Sequence, residues 1–271
     1  MKNRTYRKFI LPSVFVLGSL TFPAQVFAQE TKPAVADVNG KVDLQGGSVG
    51  REGSGAVGGT VSIPVAHSFA VQIDTALSHS PSANSGGVAG HFFTRDPDAY
   101  MAGLASMWIR IDGQDLWRNG VETEFYLDDY TLSSSLGLQN VGARDTGYGN
   151  IELGYYINDD LFLKGGVSGY SDYRALYVGS EWRPMDDSPL SLFADVGAGT
   201  ENGGFGTIGL RFSFGAENSN LKKQHREYDP PNIVTGFTSG SGGGGQAVNE
   251  IVNKREEEPA PAPAPLDAVD L

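Results

Sequence analysis

The sequence contains no cysteine, and nowhere in its 271 positions is there a run of 18 or more apolar residues. The first absence excludes a disulfide framework and any thiolate metal site. The second excludes a helical membrane span, but not strands that cross a bilayer, because these alternate and keep one face polar. Basic residues are scarce, 20 against 32 acidic, so nucleic acid is not an expected partner. Histidine is limited to His67, His79, His91 and His225, none with a second His or carboxylate at metal spacing on one strand face. No metal site and no cofactor is therefore expected.

The first 28 residues form a separate object. Lys2, Arg4, Arg7 and Lys8 make a basic start, 9–20 an apolar core too short to span, and Val26-Phe27-Ala28 ends in a small residue. This pattern is that of a secretory signal peptide removed on export. Its removal leaves 16 basic against 32 acidic groups, a formal net charge of −16. Residues 29–37 read as a short polar lead in the periplasm.

What is present is alternation. In and just before 122–140, Val121, Thr123, Phe125 and Leu127 share one strand face, and Arg118, Gly120, Glu122, Glu124 and Tyr126 the other. Asp128 and Asp129 turn the chain, after which Leu132, Leu136 and Leu138 alternate with Ser133, Ser135 and Gly137. The same hairpin recurs around Asp159-Asp160 and Asp186-Asp187. Across 38–215 the repeat predicts an all-β chain of roughly twelve antiparallel strands, between ten and fourteen. The segment 100–111 is apolar on both sides and 173–183 is ambiguous, so the faces of both stay unassigned. For 100–111 two readings stay open: a subunit contact, or an inward side that packs across the interior.

Three features favour an up-and-down transmembrane barrel over a soluble sandwich. Compact turns at Pro64, Asp96, Asp128, Asp159 and Asp186 alternate with Gly/Ser/Asn stretches at 46–55, 78–87, 140–147 and 200–204, which read as longer loops at the other rim. Aromatics gather at strand ends, with Phe125, Tyr155 and Trp182 toward one rim and Trp117 toward the other. The off-face carries Asp74, Glu122, Glu124, Glu152, Lys164, Asp195 and Arg211, which suit a wet lumen and not a dry core.

The last strand carries the sharpest motif. Thr207-Ile208-Gly209-Leu210-Arg211-Phe212-Ser213-Phe214 resembles the signal on the closing strand of bacterial outer-membrane barrels, with Thr207, Gly209, Phe212 and Phe214 as its elements. By that resemblance the chain is similar to the small porin-like barrels of alphaproteobacteria. The resemblance implies outer-membrane location, contact with outer-membrane lipid and lipopolysaccharide, and insertion by the barrel assembly machinery. The motif usually ends the chain, whereas here 57 residues follow Phe214.

Residues 216–271 read as a disordered acidic tail, with glycines at 242–245, Glu256-Glu257-Glu258 and alternating Pro/Ala after Pro259. With an even strand count both barrel ends face the periplasm, and so should this tail, either as a solvated extension or as a tether to a periplasmic partner. The expected lumen-lining set is Lys41, Asp43, Asp74, Arg118, Glu122, Glu124, Glu152, Lys164, Asp195 and Arg211, four positive and six negative groups. No enzyme is expected: His79-Ser80-Pro81-Ser82 has hydrolase residue types but reads as a loop tip. The expected function is passive diffusion of small hydrophilic solutes, with a non-conducting surface-interaction barrel as the alternative.

Overall fold

The computed structural model describes residues 32–50, 52–141, 144–170, 173–185, 188–200, 203–215 and 219–234. The expected signal peptide, the Asp186-Asp187 pair and the tail beyond 234 lie outside these residues. Twelve strands form one closed antiparallel sheet: β1 (Asn39–Val49), β2 (Glu52–Ala66), β3 (Phe69–His79), β4 (Asn84–Asp96), β5 (Tyr100–Ile111), β6 (Gln114–Leu127), β7 (Tyr130–Val141), β8 (Arg144–Asn158), β9 (Leu161–Tyr170), β10 (Tyr173–Trp182), β11 (Leu190–Gly199) and β12 (Gly203–Phe214). The count agrees with the expected dozen. Each strand pairs with its neighbours in sequence, and β1 pairs with β12 from Gly40 opposite Phe214 to Val49 opposite Phe205, which leaves no edge.

The period-two pattern sorts side chains between two solvents. Leu44, Ile73, Leu104, Leu136, Val178 and Ile208 face outward and are exposed, while Asp43, Gln72, Asp74, Met107, Thr131, Tyr177 and Thr207 on the same strands are buried inside. Outward aromatics mark both rims. Phe69 stacks on Phe92 at 5.7 Å and Tyr130 meets Tyr155 at 4.8 Å near the rim that holds both barrel ends, and Trp108 meets Trp117 at 6.4 Å near the other. These are the interfacial girdles of an outer-membrane barrel, in which the rim with the chain ends is periplasmic.

The connections differ from the expectation. The stretches 46–55, 78–87 and 140–147 are mostly strand: Gly46 pairs with Gly55, Ser78 with Ser85 and Asn140 with Asp145. Glycine and serine weaken a strand through lost packing, yet their backbone groups complete the ladder as any others do. Connections at the outer rim are consequently only two to four residues long, and the longest of all, 183–189, lies at the periplasmic rim. Asp112 (φ 45°) and Gly113 (φ 85°) both take the left-handed conformation that a two-residue hairpin needs.

The unassigned segments acquire faces. β5 turns Met101, Met107, Ile109 and Ile111 inward, and β10 turns Tyr173, Ala175, Tyr177 and Glu181 inward. Met107, Ile109 and Ile111 belong to one apolar cluster with Tyr170, Tyr173 and Ala175, which favours the reading of 100–111 as a strand that packs across the interior.

The ends are more ordered than composition suggested. In the lead, the Ala34 amide donates to the His67 carbonyl at 2.7 Å, and Ala34 and Val35 pack on Ala70, Phe93, Met101 and Tyr126. Residues 219–234, expected to be disordered, are folded, with helix α1 (Leu221–Glu227) capped by Asn220, whose Oδ1 accepts from the Lys223 amide at 2.8 Å. The composition of 216–271 is dominated by its later Gly and Pro/Ala runs, which hide the few apolar anchors near its start. Those anchors, Leu221 and Val234, are fully buried against the barrel's inner wall.

A lipid-facing charge should be costly near the middle of the sheet. Leu104→Arg is expected to destabilise the barrel by about 2–4 kcal/mol, read as a lower urea midpoint for the protein refolded in bilayers. An arginine that costs nothing there would place Leu104 away from lipid.

Candidate functional site

The interior is layered from rim to rim. At the periplasmic end, the lead and the inward residues of β3 to β6 form a small apolar plug. Toward the outer end, Ala76, Ala89, Met107, Ile109, Leu116, Tyr170, Tyr173 and Ala175 form a larger apolar cluster. Between them lies a charged layer.

Register builds that layer. Asp43 stands directly opposite Arg211 across the closing β1–β12 pair, and Arg211 Nε donates to Asp43 Oδ1 at 2.7 Å. The same guanidinium reaches Glu181 on β10, whose Oε2 lies 3.5 Å from His225 Nε2. Lys164 and Asp195 face each other at 3.1 Å across Gly179, where any side chain would collide with the Asp195 carboxylate. Glu152 adds a contact to Lys164 at 3.7 Å and accepts from the Tyr177 hydroxyl at 2.9 Å. His91 stands between two carboxylates, with Nδ1 2.8 Å from Glu122 Oε1 and Nε2 3.2 Å from Asp74 Oδ2. Tyr126 donates to Glu124 at 2.8 Å. Arg118 donates to Gln139 at 2.7 Å and lies over the Tyr148 ring at 4.6 Å.

All ten residues singled out from the sequence thus point inward, and nine of them line one cavity of about 290 Å³. The tenth, Asp74, lies off it, holding Gln72 Nε2, the Thr60 hydroxyl and the Ile233 amide. Glu181, Arg183, His91 and Arg95 also point inward and were missed. Glu181 and Arg183 fall where Leu176, Val178 and Trp182 outside mirror Tyr173, Ala175 and Tyr177 inside, which erases the alternation. His91 and Arg95 flank the adjacent Phe92 and Phe93 of β4, whose similarity hides the parity. Counting back two residues at a time from Arg95, beside the turn, passes Phe93 and reaches His91, which puts them on one face.

The folded C-terminal segment shares the cavity. Its α1 lies over the periplasmic rim, where Lys222 Nζ is 2.7 Å from Asp129 and Arg226 donates to the Tyr130 carbonyl at 2.8 Å. His225 Nδ1 is 2.9 Å from the Tyr156 hydroxyl, and Arg183 donates to the Ser219 carbonyl and to the Gln224 side chain. Beyond α1 the chain enters the barrel, where Asp229 pairs with Lys41 and the Pro230 carbonyl accepts from Lys41 Nζ at 2.9 Å.

The residues named for assembly divide by face. Thr207 and Gly209 point inward, Gly209 beneath the Phe193 ring, while Phe212 and Phe214 are exposed to the lipid side. At the outer rim His79 Nδ1 is 2.7 Å from Asn84 Oδ1, and Ser82 donates to Glu52 at 2.5 Å, so the rim histidine and this serine face different partners. Among the described residues no group of three or more His, Cys, Asp or Glu is placed to hold a metal ion.

Arg211 joins two carboxylates, so its loss should be felt. Arg211→Met is expected to destabilise the barrel on the order of 3 kcal/mol, as for other broken buried pairs. Adding Asp43→Asn should recover part of that, measured as a double-mutant cycle in urea. Strict additivity of the two changes would mean that the contact contributes nothing.

No family model and no curated protein matches the chain. Solved structures do. The KdgM porin in complex with disordered oligogalacturonate aligns at 12% identity and a TM-score of 0.52, covering 64% of this chain and 99% of that one. The NanC porin aligns at 11% identity and a TM-score of 0.52, covering 63% and 98%. At such identities the likeness concerns architecture, and with the girdles and the polar interior already described, the chain has the closed twelve-stranded fold of an outer-membrane porin-like barrel.

Proposed function

We propose that the protein is an outer-membrane channel for passive diffusion of small hydrophilic solutes. The observation that carries this reading is the charged, polar cavity of about 290 Å³ enclosed by a lipid-facing barrel. Eight strands would leave room only for side chains and sixteen a wide aqueous pore, so twelve suits a narrow passage. The N-terminal 1–28 would serve export, and Thr207, Gly209, Phe212 and Phe214 recognition by the assembly machinery. Outer-rim connections of two to four residues offer little surface for an adhesive role.

The chemistry of the lumen bears on the solute. The KdgM porin was solved with oligogalacturonate, an acidic sugar chain. Here three of the lumen's basic residues, Lys41, Lys164 and Arg211, are each engaged by a carboxylate. Small neutral or weakly cationic solutes fit this balance better than polyanions.

Single-channel recording of refolded 29–271 in planar bilayers tests the reading. Reproducible steps with mild cation preference are expected, and Glu122→Gln with Glu124→Gln should reduce that preference. A folded, heat-modifiable barrel with no conductance in any variant would overturn it.

A further inference from the structure

The segment that enters the barrel is held as a ligand is held. Lys41, buried in the wall of β1, meets Asp229 with its charge and the Pro230 carbonyl with a hydrogen bond. Asn232 donates to the Gly59 carbonyl at 3.0 Å and to the Thr60 hydroxyl at 2.9 Å on β2. The Ile233 amide donates to Asp74 on β3 at 2.9 Å, and Val234, fully buried, joins the apolar cluster that includes Ala76 and Ala89 on β3 and β4. The wall thus supplies a cation, an acceptor and a carboxylate in the order in which 229–234 presents an anion, an amide and a backbone N–H.

The path has a direction. α1 lies over the periplasmic rim, Asp229 meets Lys41 on the inner wall, and Val234 reaches the cluster nearer the outer rim. The segment therefore runs lengthwise through the interior beside the cavity it helps to line. The expectation of a tail lying wholly in the periplasm does not hold for these residues.

The manner of attachment differs from that of the wall. Strands are joined by continuous ladders, whereas 229–234 is held by one ion pair and a few separate hydrogen bonds. A seven-residue helix adds little by itself. Water can take over hydrogen bonds of this kind, and the closed ladder of the wall does not depend on them.

We propose that the inner face of β1 to β4 is a binding site for an extended peptide, that its resident occupant is this chain's own 229–234, and that solute passage follows the withdrawal of that occupant. The proposal rests on the channel reading above and names how that channel is regulated. Lys41, Thr60 and Asp74 then act as the receptor, and Asp229, Asn232 and Ile233 as the ligand.

The chain has no cysteine, so a clean lock can be built. Thr60→Cys with Asn232→Cys replaces two side chains whose polar atoms lie 2.9 Å apart. In the full chain, oxidation or a short bifunctional thiol reagent should bridge them and suppress conductance, and cleaving the bridge should restore it. A second full-length variant, Asp229→Ala with Asn232→Ala, alters only the occupant and should give steps severalfold larger than the unmodified protein. Failure of the two cysteines to bridge would overturn occupancy of the site. Equal, measurable conductance in the locked and loosened proteins would overturn the regulation alone. Silence of every variant, the loosened one included, would overturn the channel reading and this proposal with it.

Discussion

Closure of the backbone ladder between β1 and β12 is the constraint on which the rest depends. In hydrocarbon no water is available for an unpaired N–H or C=O, so a sheet can cross a bilayer only when it has no edge. Ten paired positions along the seam, from Gly40 to Val49, meet that condition. Once it is met, the outward face must be apolar and the inward face is released from that demand. The alternation of Val121, Thr123 and Phe125 with Glu122 and Glu124 records this division in one strand.

Release from apolarity is not freedom from electrostatics. A carboxylate inside the wall still requires a partner or water, and strand register decides which partner it meets. Asp43 meets Arg211 because the closing pair sets them opposite, and Lys164 meets Asp195 because Gly179 leaves the space between them open. The interior is therefore a set of local ion pairs and not a charged tube. Its net charge says less about solutes than the positions where a pair is shared with the C-terminal segment, as at Lys41 and at Glu181.

The fold was legible because period two survives almost everywhere, and strand number and inward parity both follow from it. Reading failed where both faces carry the same kind of residue. β5 and β10 bury Ile109 and Tyr177 inward while showing Leu104 and Leu176 outward, so hydrophobicity alone could not orient them. It failed again where composition was averaged over too long a window. Gly and Ser at 46–55 suggested a loop where backbone pairing makes a strand, and the Pro/Ala and Gly runs concealed a folded stretch at 219–234. Lys41 was identified as inward, but its partner Asp229 lies 188 positions away on a segment with no periodicity to announce it.

The short outer connections carry a consequence for how the barrel meets its surroundings. With only two to four residues between neighbouring strands, the outer rim has little chain with which to extend beyond the barrel wall. Antibodies and bacteriophages that recognise protruding loops would find almost nothing to grasp. The same bareness makes those turns convenient places to graft a foreign epitope, since Asp112-Gly113 closes its hairpin without help from any longer loop.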